Sequence, residues 1–118
     1  MDNVLDKLAG LGIAGIVLVC VISTSGLTGV YALTAALSTL GGPFGGMLVG
    51  LTMLGLIAMA SSLIAKMGID KVVILLVQRM LNKGMSKNQL VKDLNSNPWK
   101  IILSADLRLK IENKISKA

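Results

Sequence analysis

Apolar positions follow two contrasting patterns along this chain. From Leu8 to Ala65 they are nearly continuous, and no Asp, Glu, Lys, Arg or His interrupts them. From Ile69 onward they recur at spacings of three and four with charged residues between, the signature of amphipathic helices. No stretch alternates with period two, so the predicted fold class is all-α.

The uncharged part divides into three helical segments. The first runs from about Val4 to Ser25, with Gly10, Gly12 and Gly15 early and Ile16-Val17-Leu18-Val19 at its middle. Ser23-Thr24-Ser25-Gly26 is a weak break. The second segment, Leu27 to Leu40, ends at Gly41-Gly42-Pro43, which cannot continue a helix. At a rise of about 1.5 Å per residue it reaches about 21 Å, short of the roughly 30 Å hydrocarbon core. The third, Phe44 to Ala65, is long enough to cross, and Lys66 marks the return to water.

The short middle segment has two faces. Leu27, Val30, Leu33, Leu37 and Leu40 share one stripe; Thr24, Thr28, Tyr31, Ala35 and Ser38 share another. A hydroxyl stripe suits a water-filled lumen, a headgroup region or a neighbouring helix, which makes Thr24, Thr28, Tyr31 and Ser38 the candidate lumen-lining residues. The alternative is that these hydroxyls bond back to a carbonyl four residues earlier.

Beyond Lys66, Ile69, Val72, Val73, Leu76, Val77 and Met80 form the apolar face of a helix that Gly84 terminates. Ser86 followed by Gln89 fits a capping box and opens a short helix with Leu90, Val91 and Leu94 inward. Asn95–Pro98 is a turn, Trp99, Ile101, Ile102 and Leu103 form a hydrophobic plug, and Ser104 caps a last helix with Leu107, Ile111 and Ile115 on one side. The predicted organisation is a membrane-embedded helical domain over 1–67, of two or three hydrophobic helices, and a small basic helical cytoplasmic domain over 68–118.

Composition supports this division. The chain of 118 residues is 53% hydrophobic and 15% charged, with mean hydropathy +0.76. A soluble domain of this size leaves much of its surface in water and has little room to enclose such a run; a pair of buried core helices is the competing reading. The N-terminal flank, with Asp2, Asp6 and Lys7, lacks the positive region of a signal peptide, so the first segment is expected to be retained as an anchor. Residues 1–65 carry a net charge of −1 and residues 66–118 a net of +7, which puts the C-terminal part on the cytoplasmic side of a cell membrane. Lys66, Lys71, Arg79 and Lys83 are the basic residues expected at the membrane surface, where anionic headgroups attract them.

The sharpest motif is a glycine zipper: Gly42, Gly46 and Gly50, with Gly41 and Gly45 in an offset register. Small residues every fourth position let helix backbones approach closely, either within one chain or between copies. Ala58, Ser61, Ser62 and Ala65 make a further small-residue face. The Gly-, Ala-, Thr- and Leu-rich stretch over 8–65 resembles holins, circular bacteriocins and glycine-zipper channels in composition, without residue correspondences.

Other chemistry is sparse. The uncharged run offers no intramembrane group for ion coupling. With no histidine and a single cysteine, Cys20, neither a metal centre nor a disulfide is expected, and no cofactor is implied. The acids beyond Lys66 assemble no catalytic pair, so an enzyme is not expected. Nucleic-acid binding is disfavoured by the short helix after Ser86 and by the lack of an aromatic platform. The function expected is self-assembly through glycine-zipper packing into a pore- or channel-type homo-oligomer, as a toxin, lysis factor or regulated channel. The alternative is a non-conducting anchor or accessory subunit whose basic C-terminal domain docks a cytoplasmic protein.

Overall fold

The structure, a computed structural model, describes residues 2–39 and 51–118, with side chains described over 4–36 and 55–118. Seven helices are described: α1 (Asp2–Gly10), α2 (Ile13–Thr39), α3 (Leu51–Met67), α4 (Ile69–Asn82), α5 (Lys87–Leu94), α6 (Trp99–Ile102) and α7 (Ala105–Ser116). No strand occurs among the described residues, as the missing period-two pattern predicts.

The first expected helix is two. The chain turns at Leu11-Gly12, where the Leu11 and Gly12 amides donate to the carbonyls of Leu8 and Ala9 at 3.1 Å each. Gly12 takes φ +66°, a left-handed conformation that costs a residue with a Cβ about 1–2 kcal/mol. Gly15 then lies so close under α1 that a Cβ there would run into the Leu8 carbonyl oxygen. Gly12 and Gly15, expected inside a single helix, therefore form a corner and a point of backbone contact.

A second break lies inside α2. Gly26 has φ 69° and ψ −162°, which separates Ile13–Ser25 from Leu27–Thr39. The weak break expected at Ser23–Gly26 is thus a kink. It also explains why Leu27 leaves the apolar stripe predicted for it. Val30 and Leu33 are buried, but Leu27, the first residue past the kink, is 46% exposed.

The half of α2 before the kink is the centre of the molecule. Its residues Ile16, Val17, Leu18 and Val19 are fully buried, and α2 touches every other described helix. A helix apolar on all sides is stable only where it is enclosed, by protein or by lipid, and here the helices after Gly68 share the enclosing with α1 and α3. Val72, Val73, Leu76, Val77 and Met80 of α4 share one core with Leu8, Ile57, Leu90, Ile111 and Ile115. Gly68, with φ 85°, interrupts the chain between α3 and α4, and residues on both sides of it belong to that core. An amphipathic helix needs an apolar partner, and α4 finds it in α1 and α2.

The C-terminal helices start and stop where their signals stand. After α4, the Met85 amide donates to the Met80 carbonyl and the Gly84 amide to that of Leu81, with Gly84 at φ 98°; this is a complete Schellman cap. Ser86 Oγ accepts from the Gln89 amide at 3.1 Å, and Ser104 Oγ from the Leu107 amide at 3.2 Å. The Gln89 side chain donates forward to Asp93 Oδ1 at 2.8 Å. In the expected plug, Trp99 and Leu103 are buried and Ile102 is half-buried, but Ile101 is 67% exposed. In a single turn such as α6 adjacent residues point in different directions, and only part of an apolar run can face inward.

Candidate functional site

Past the kink, α2 and α3 are the least covered apolar elements of the described structure. There the exposed residues of α2 include Leu27, Thr28, Tyr31 and Ala32; those of α3 include Gly55, Ala58, Met59, Ser62 and Ala65. Apart from Leu27, Tyr31 and Met59, these residues are small or hydroxylated. Among the described residues, Ile13–Ala36 is long and apolar enough to cross a membrane by length and composition, and 61% of its most apolar window is buried inside the molecule.

Of the four candidate lumen residues, Thr28 and Tyr31 are exposed past the kink, and Thr24 is exposed before it. Thr24 Oγ1 donates to the Cys20 carbonyl at 3.0 Å, the back-bonding alternative for that residue. Thr34, which is buried, donates to the Tyr31 carbonyl at 2.9 Å. The side chain of Ser38 and the zipper glycines Gly41, Gly42, Gly45, Gly46 and Gly50 lie outside the described residues.

The four expected surface cations are not brought together. Lys66 and Lys71 are exposed on either side of Gly68, at the level of the kink, whereas Lys83 is exposed at the opposite end of α4. Arg79 is half-buried, and its Nη1 donates to Asp6 Oδ1 at 2.7 Å, tying α4 to α1. The group that the sequence reading missed lies on α7. Lys114 Nζ donates to Asp70 Oδ1 at 2.6 Å, tying α7 to the start of α4. Its signal was the spacing of Lys110, Lys114 and Lys117, four and three residues apart on one helical face.

The Lys114 ammonium, through this hydrogen bond and its charge, holds the Asp70 carboxyl below its ordinary value of 3.8. A carboxylate with a lowered folded-state pKa contributes stability above the unfolded pKa, and that contribution is lost as pH falls through the folded value. The Asp70–Lys114 tie should therefore persist unchanged from pH 7 to pH 5 and be lost only below the ordinary carboxylate range. A carbon-detected NMR titration of the Asp70 carboxyl checks this; a midpoint above 4 would contradict it.

No family model matches this sequence, no curated protein sequence is similar to it, and no solved structure resembles its fold.

Proposed function

We propose that the chain is a membrane protein whose α2–α3 hairpin enters the bilayer from the cytoplasmic side and self-associates there into a pore-type oligomer. One observation carries this reading: among the described residues past Gly26, the exposed positions of α2, and those of α3 up to Ala65, are uncharged and made largely of Thr, Ala, Gly and Ser. In lipid, where apolar surface gains nothing by leaving hydrocarbon, small and hydroxylated faces are the ones that bring helices together. In this reading the zipper glycines Gly42, Gly46 and Gly50 take part in the self-association, and the lumen hydroxyls past the kink are those of Thr28, Tyr31 and Ser38.

Topology follows the charge. The net +7 of residues 66–118 favours the cytoplasmic side. The Asp6–Arg79 pair ties the N-terminal helix to α4, which supports both ends of the chain being on that side, with the hairpin between them.

The test is dye release from liposomes together with oligomer size in detergent. The double variant Ala58→Leu, Ser62→Leu changes two exposed positions, so the fold should be retained. Release should fall sharply and the oligomer distribution should shift toward monomer. Unchanged oligomers with undiminished release would remove the hairpin faces from the contact, and tight liposomes at high loading of the unaltered protein would sink the pore reading.

A second reading, a non-conducting anchor that docks a cytoplasmic protein, is favoured by the exposure of Ile101 (67%) and Leu109 (57%) on the C-terminal helices. A stoichiometric partner lost with Ile101→Asp, in a protein that leaks nothing, would select it.

A further inference from the structure

A cleft of about 480 Å³ opens beside the kink, between α2, the start of α4 and the last turns of α7. Its walls are of two kinds. Cys20, Ile69 and Ile74 are apolar, while Lys110, Lys114 and Lys117 line it with basic residues. The volume lies within the roughly 300–1,000 Å³ typical of small-molecule sites.

The charge balance is local and countable. Asp70, also at the cleft, is paired with Lys114. Among the described residues no carboxylate lies within ion-pair distance of Lys110 or Lys117, which leaves an excess of two positive charges beside an apolar wall. The complement of such a site is an amphiphile with an anionic head.

Position narrows the class further. The cleft reaches Ser23 and Thr24, immediately before Gly26, where the enclosed half of α2 gives way to the uncovered half. If the hairpin enters a bilayer, this is the level of the headgroups. We infer that the cleft is a binding site for an anionic glycerophospholipid, with the phosphate between Lys110 and Lys117 and the glycerol end of the acyl chains against Ile69 and Ile74. This inference rests on the membrane reading but not on pore formation. It assigns lipid recognition to α7 rather than to Lys66, Lys71, Arg79 and Lys83.

The experiment titrates the purified full-length chain with dihexanoyl-phosphatidylglycerol below its micelle concentration, followed by calorimetry. Dihexanoyl-phosphatidylcholine, inorganic phosphate and glycerol phosphate serve as separate arms. Phosphatidylglycerol should bind, and the other three should bind at least about ten-fold more weakly, since each lacks either the net charge or the apolar part. At about 1 kcal/mol per basic residue near a lipid surface, Lys110→Gln with Lys117→Gln should weaken binding roughly 25-fold. Lys66→Gln with Lys71→Gln should leave it within about two-fold. Asp70→Asn should act in the opposite direction and tighten binding, because it removes a competing anion and frees Lys114.

Both lysines replaced in the cleft are on the surface, and an unchanged circular dichroism spectrum and melting curve will show that the fold is intact. Equal binding of phosphatidylcholine would overturn the charge assignment, and equal binding of inorganic phosphate would make the cleft a plain anion site. Undiminished binding by the Lys110, Lys117 double variant would overturn the location. Because no bilayer is present, a protein that binds the lipid but releases no dye would retain this site and lose the pore reading.

Discussion

Leu76→Ala should lower the stability of the whole molecule by about 2–5 kcal/mol, the usual cost of emptying a fully enclosed leucine site. Leu76 belongs to α4 yet is fully buried in the core that α4 shares with α1, α2 and α3. If residues 68–118 formed a separate domain tethered to a membrane segment, the change would unfold that domain and leave α1–α3 as they were. With one shared core, both parts should melt together. Trp99, the single tryptophan, is buried in α6 against α2 and α5, so its fluorescence follows the C-terminal helices. Far-UV circular dichroism follows all the helices at once. In mild detergent with increasing urea, the two signals should change at the same denaturant concentration, and both midpoints should move down together in Leu76→Ala. A tryptophan transition well below the helical one would show that α4–α7 come away as a unit.

Gly15→Ala is expected to cost about 1–3 kcal/mol as an overpacking change, although alanine is intrinsically the better helix former by about 1 kcal/mol. The added methyl would meet the Leu8 carbonyl, and a backbone atom cannot swing aside as the end of a side chain can. Gly10→Ala is the control, because a Cβ at Gly10 meets nothing within 4 Å. Thermal unfolding of the two variants separates close approach from helix propensity. Equal midpoints would mean that α1 does not rest on α2 as described.

The parts of the fold legible in the sequence are those decided within a few residues. Ser86, Ser104 and Gly84 could be assigned as caps because a cap depends on one side chain or one φ angle beside a periodic run. The inward face of α4 was equally readable from Val72, Val73, Leu76, Val77 and Met80. The partner of that face was not. Helical periodicity says that an apolar stripe must be covered, without saying by what, and an all-apolar helix such as Ile13–Ser25 satisfies the same pattern in lipid or beneath α4 and α7. The corner at Gly12 was hidden for a related reason, since glycines spaced through an apolar run read alike as a turn, a helix contact or simple tolerance. At the candidate site, the exposure of Thr28 and Tyr31 past the kink agrees with their spacing. The cleft beside the kink could not be seen in the sequence, because α2, α4 and α7 meet there only once the chain has folded back on itself.

The kink at Gly26 has a consequence for any bilayer the hairpin enters. The described part of α2 past the kink, 27–39, spans about 20 Å at the usual helical rise, against a hydrocarbon thickness of about 30 Å. A short apolar body makes the surrounding lipid thin to meet it, at a cost of fractions of a kcal/mol for each ångström of mismatch. That cost scales with the perimeter of protein facing lipid, and each contact between copies removes perimeter. In the proposed membrane arrangement, the length left to α2 past Gly26 would itself favour clustering, and in a membrane built from shorter-chain lipids that drive should weaken.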